Sequence, residues 1–232
     1  MNVQRRNRVV ASLGAAFLAV LAAGPVVRAQ TAPPLPAQPA TARETLSFVG
    51  HGAFFSQETK RSPAIDPQVF VKDESSAEGT GPQSIEHAAG VRPARLDDSP
   101  ELVLYNANGD ALGFTLEKWL GATGTVDLDP QANGGTRLTM SFKKLIAFGV
   151  YSVFRATFSP DGTTFVPIDG DGTTNTFTSA VDGSATLVVS TSSRLMHANA
   201  IVLILHSDSQ EHGVTRGLIG VNAHHQLAAR LP

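Results

Sequence analysis

The sequence predicts an all-β fold: an antiparallel β-sandwich of jelly-roll or Ig-like type, preceded by a signal peptide and a loop-rich N-terminal segment. Three observations carry this. Short runs of alternating apolar and polar residues recur along the second half of the chain, separated by Gly, Asp and Asn every ~8–15 residues. No long amphipathic helix interrupts them, which argues against βαβ units. One run, Ile201–Leu205, is apolar at every position, as expected of a central strand buried on both faces.

The N-terminus reads as an export signal. Arg5, Arg6 and Arg8 precede an apolar run from Val9 to Val27, which ends in small residues before Gln30. The run is about 19 residues long and rich in Ala and Gly, at the short end of the roughly 20 predominantly apolar residues of a spanning helix. The charged, apolar, small order is that of a secretory signal peptide over residues 1–29. Arg5-Arg6 also raises a twin-arginine route, although Asn7-Arg8-Val9 fits that motif poorly. The expected location is therefore periplasmic or extracellular, with no membrane span once the signal is removed.

Residues 30–43 are rich in Pro and Ala and read as a spacer. Residues 44–99 are expected to be a loop-rich segment with one or two strands, one over Glu44–Phe55 and one at Val69–Val71. The stretch from Ser56 to Ser99 is rich in Pro, Gly, Ser and charge and, apart from Val69–Val71, reads as a long surface excursion. The compact sandwich core is then expected over residues 100–232, from Pro100 onward.

Within that core the elements follow in order. Glu101–Ala107 and Ala111–Leu116 flank an Asn-Gly-Asp turn. Glu117–Leu120 fits one helical turn closed by Gly121. Gly124–Leu128 and Arg137–Lys143 flank Asn133-Gly134-Gly135, a hairpin signal. In Arg137–Lys143, Leu138, Met140 and Phe142 point one way and the polar residues the other. Val150–Phe158, Ser184–Ser190, Ile201–His206 and Leu218–Leu231 complete the set.

Charge narrows the function. Four of the 18 basic residues (Arg5, Arg6, Arg8, Arg28) lie in the signal, leaving 14 against 20 acidic residues. Nothing here resembles the basic footprint that nucleic acid requires. The absence of cysteine removes disulfides, thiol catalysis and thiolate-bound metal. The nucleophile-elbow, phosphate-loop, dinucleotide and His-Glu-x-x-His motifs are also absent.

Three other features carry bland readings. Asp169, Asp171 and Asn175 offer oxygen ligands for calcium, but the spacing is not that of an EF-hand, and the favoured reading is a polar turn. Asp127 and Asp129 share a strand face and read as solvated carboxylates rather than a glycosidase pair. Trp119, the only tryptophan, reads as a core residue beside Leu116 and Leu120.

The histidines are concentrated. Five of seven lie at 197, 206, 212, 224 and 225. His206 ends an apolar strand, Asp208 and His212 follow in a loop, and His224 and His225 open the closing strand. With no thiols available, such a set would hold zinc or copper through imidazole and carboxylate. The candidate metal ligands are His206, Asp208, His212, and one of His224 and His225. The competing reading makes these imidazoles hydrogen-bonding ties between loop and sheet, with Arg216 pairing Asp208 or Glu211. A Ser-His-Asp triad through Ser207 or Ser209 is disfavoured, since neighbours on one loop rarely reach triad geometry. Two functions follow: an exported, non-enzymatic module binding an unknown ligand or protein, or a zinc- or copper-binding domain, extending to a metal-dependent enzyme.

Overall fold

The computed structural model describes residues 43–231, which belong to one compact unit. The expected signal peptide and all of the spacer except Arg43 lie outside the described residues. The first part comprises β1 (Glu44–Ser47), β2 (Val49–Gly50), α1 (His51–Glu58), β3 (Ile65–Lys72), β4 (Gly79–Thr80), β5 (Glu86–His87) and β6 (Val91–Arg95). The middle part holds β7 (Val103–Tyr105), β8 (Ala111–Thr115), α2 (Leu116–Leu120), β9 (Thr123–Pro130) and β10 (Thr136–Lys143). The last part holds β11 (Val150–Ser159), β12 (Gly162–Pro167), β13 (Thr176–Thr178), β14 (Ala185–Ser190), β15 (Asn199–His206) and β16 (Ala223–Arg230).

The fold is all-β, with antiparallel sheets packed on one another as in a sandwich. One sheet runs β1-β9-β10-β14, a second β12-β11-β15-β16-β2 with β13 also on β11, and a third β6-β3-β7-β8. In β10, Leu138, Met140 and Phe142 are buried while Arg137, Ser141 and Lys143 are exposed, as the alternation predicts. Those side chains share a core with Val153 of β11, Ile201, Leu203 and Leu205 of β15, and Leu227 and Ala229 of β16. Burying such side chains supplies most of the stabilisation, about 1.5–3 kcal/mol for each large one before ordering costs.

β15 lies between β11 and β16, and all eight of its residues are buried. One face of it joins the large core. Ala200, Val202 and Ile204 on the other face pack with Phe154, Ala156 and Ala223. Among the described residues, no helix is long and apolar enough to cross a membrane.

Two expectations are corrected. The stretch Glu44–Phe55 is not one strand: it breaks at Phe48, and from His51 it is helical. Gly52 explains the close seat of this helix, because a Cβ there would come within 2.9 Å of Leu96 and 3.0 Å of Asp66. The packed core also begins upstream of Pro100. Phe48, Val69, Val71 and Ala94 belong to the main core, and Phe70, Ile85 and Val91 form a satellite cluster. Residues 44–99 therefore supply a sheet wall rather than a loop excursion.

Candidate functional site

The site grows out of the end of β15. The apolar strand carries His206 to the point where the chain leaves the sheet, and the chain returns as β16. The two strands are neighbours, with Leu205 opposite His224 and His206 opposite Ala223. Between them His206 is 1% exposed. It shares the strand face of Ile204, and its Nε2 lies 2.7 Å from the Ser152 hydroxyl of β11. Its Nδ1 is buried without a hydrogen-bond partner.

The loop brings two further ligands to this imidazole. Ligand atoms of His206, Asp208 and His212 all lie within 4.8 Å of one another, so the three form a group that can hold a metal ion. The His206 and His212 rings are 4.6 Å apart. His212 Nε2 lies 3.0 Å from Asp208 Oδ2. Asp208 is itself positioned: Oδ2 accepts from Asn222 Nδ2 at 2.8 Å, and Oδ1 from the Gln210 amide at 3.1 Å. Burial, with His212 and His224 nearby, pushes His206 down from 6.5 to about 4. At neutral pH it is an unprotonated imidazole, the form that binds metals.

The turn with three oxygen residues explains why this loop is fixed. Asp169 is spent on its own backbone: Oδ1 accepts from the Gly172 amide at 2.9 Å and Oδ2 from the Thr174 amide at 2.6 Å. The turn reading of Asp169–Asn175 is therefore the one realised. Gly172, at φ +76°, lies directly on the histidine loop, where a Cβ would meet the Gly213 carbonyl carbon at 2.6 Å. Asn175 Nδ2 adds a bond to the Gly213 carbonyl at 3.2 Å. The chain next to His212 is thus clamped by a second loop.

His224 and His225 are not part of the three-residue group. Both are buried, on opposite faces of β16. Simple alternation would put His225 on the face of Leu227. A bulge overturns this: Leu203 pairs with Leu227 and Ile204 with His225, leaving Gln226 without an opposite residue. The free His225 amide donates to Gln68 Oε1 at 2.7 Å.

His224 faces the core. Its Nδ1 donates to the Gln68 carbonyl at 2.8 Å, and its Nε2 accepts from the Ser207 hydroxyl at 3.1 Å. Both nitrogens are committed, which is the tie role foreseen for these imidazoles. Ser207 meets His224, but the other nitrogen of that ring goes to the Gln68 carbonyl rather than to a carboxylate, so no Ser-His-Asp triad forms through Ser207. His225 looks the other way, toward Phe165 and Arg216. Burial, with His51 and Arg216 alongside, drives His225 well below its ordinary range.

The remaining candidates resolve simply. Trp119 is buried, and its Nε1 donates to Asp66 Oδ2 at 2.9 Å. Asp127 accepts from the Thr45 hydroxyl, and Asp129 pairs with Arg43. Arg216 pairs with neither Asp208 nor Glu211. Its guanidinium lies over the Phe165 ring, 3.6 Å from the centroid. Ser152 and Gln68 orient histidines and Asn222 orients Asp208, but they carry no sequence signal, because a lone Ser, Asn or Gln in a strand or loop is ordinary.

No protein-family model, no curated protein and no solved structure matches this chain significantly.

Proposed function

We propose that this chain is an exported binding module whose β15–β16 corner takes a transition-metal ion, zinc or copper(II), through His206, Asp208 and His212. The arrangement around His206 carries this reading. Ser152 holds one ring nitrogen, while the other is buried and unpartnered. That division is typical of a metal-bound imidazole, with one nitrogen oriented by a hydrogen bond and the other left for the ion. Two imidazoles and one carboxylate suit a borderline divalent cation, with water completing four-coordination. Asn222 and the Gln210 amide hold the carboxylate from outside. The Arg-rich, apolar, small-residue N-terminus supports export.

Titration of zinc and copper(II) into metal-stripped protein tests this by calorimetry. One equivalent should bind with a Kd well below ~0.1 mM. The Asp208→Asn/His212→Ala variant, altered only in the loop, should bind at least ~10-fold more weakly, and His206→Ala/His212→Ala should lose the site. Equal binding by the wild type and both variants would overturn the proposal.

A further inference from the structure

A second site lies on the face of β16 that His225 occupies, and nothing in it depends on the metal reading. α1, β11, β12, β15 and β16 line a partly open cavity of about 530 Å³. Its walls are largely apolar, with Phe54, Phe158, Phe165 and Ile219 only partly buried against the small cluster behind them. Both the volume and the lining suit a small organic molecule.

One unpaired charge stands in this largely apolar space. Arg216 lines the cavity, its guanidinium over the Phe165 ring and Nη1 3.5 Å from His225 Nε2. Guanidinium only donates, so that ring nitrogen is an acceptor and His225 adds no charge. Among the described residues, no carboxylate lies within ion-pair distance of Arg216. The acid at the cavity wall, Glu58, is paired with Arg230 at 2.9 Å. Gln68 is spent on Gln83 and the His225 amide. Arg216 is thus a partly buried cation with most of its donors unused. Such a group is costly without an anion and forms short bidentate bonds with one.

We infer that this cavity binds a small organic carboxylate, its carboxylate held by Arg216 and its apolar or aromatic body by Phe54, Phe158 and Phe165. A neutral ligand would leave the guanidinium unpaired. A phosphate dianion would leave a charge uncompensated, since Arg216 is the one unpaired cation lining the cavity among the described residues. The same cation disfavours a metal ion.

The test uses full-length protein stripped on a chelating resin, so that its outcome is separable from that of the metal site. Benzoate and hexanoate are titrated by calorimetry or ligand-observed NMR, beside benzyl alcohol, hexanol and inorganic phosphate. The carboxylates should bind more tightly than the alcohols of the same shape, and more tightly than phosphate. Arg216→Gln should weaken the carboxylates by about 10-fold or more and leave the alcohols unchanged, while Arg216→Lys retains part of the preference. Circular dichroism melts establish that each variant is folded. Equal binding of acids and alcohols, phosphate binding as tight as benzoate, an unaffected Arg216→Gln variant, or no binding of any probe up to ~10 mM would each overturn the inference.

Discussion

The two faces of the β15–β16 pair treat buried polar groups in opposite ways. On the core face the Tyr151 hydroxyl donates to Gln226 Oε1, Gln226 donates to the Trp119 carbonyl, and the Trp119 indole donates to Asp66. Asp66 accepts from the Gln68 amide, and the Gln68 carbonyl accepts from His224. The chain of bonds is unbroken. On the opposite face, Nδ1 of His206 has no hydrogen-bond partner, Nδ1 of His51 has only the Asp66 carboxylate at 3.6 Å, beyond hydrogen-bond distance, and Arg216 has no carboxylate among the described residues. A satisfied buried network rigidifies a core, whereas an unsatisfied group carries a desolvation cost that a ligand can relieve. Histidine content alone does not separate the two faces. What the nitrogens are bonded to does.

The largest expected effect strikes the shared strand. Leu203 is fully buried at the middle of β15. Leu203→Ala should cost about 2–5 kcal/mol in urea or thermal unfolding, through lost burial and the cavity left behind. A loss below ~1 kcal/mol would mean that the core face is not closed over this strand.

Acid should act on the same pair of strands, with a sign set by the imidazoles. Burial holds His224 and His225 below the ordinary 6.5, and His206 at about 4. The unfolded chain therefore takes up protons near pH 6.5 that the native fold refuses. The stability they contribute is complete above that pH and falls as pH drops from about 6.5 through 4. For metal-stripped protein, the loss between pH 7 and pH 5 should be on the order of 2 kcal/mol, read from urea midpoints. A flat or inverted profile would mean that these rings accept protons in the folded state.

The sequence made the regular parts of this fold legible and left the long-range parts hidden. β10 and β15 are readable because alternation and unbroken apolarity report local burial. β3 is readable only in its second half, Val69–Val71, because Pro67 interrupts it, and β6 is not readable because Pro93 inside the strand makes it read as loop. The helical turn of α1 is hidden by the ambiguity of short apolar runs. The group that can hold a metal ion is largely legible as a cluster, since His206 ends β15 and Asp208 and His212 follow within six residues. The separation of His224 from His225 is not. It depends on a bulge at Gln226, beside which the free His225 amide is met by Gln68, more than half the chain away.

The smallest expected effect is the most direct measure of the contrast between faces. Tyr151→Phe on the core face removes a hydroxyl that donates to Gln226 Oε1 at 2.9 Å and accepts from the Ile146 amide at 3.0 Å. It strands two polar groups and should cost about 1–3 kcal/mol. Arg216→Met on the other face keeps an unbranched side chain over Phe165 and removes the charge. The stacking it loses is worth about 0.5–2 kcal/mol, but the desolvation cost of an unpaired cation goes with it. The two terms nearly offset, so ligand-free protein should change by less than ~1 kcal/mol in either direction. Parallel urea titrations of the two variants give the difference directly. If Arg216→Met proves as costly as Tyr151→Phe, the guanidinium has a stabilising partner in the folded chain, and the two faces are not built on different principles.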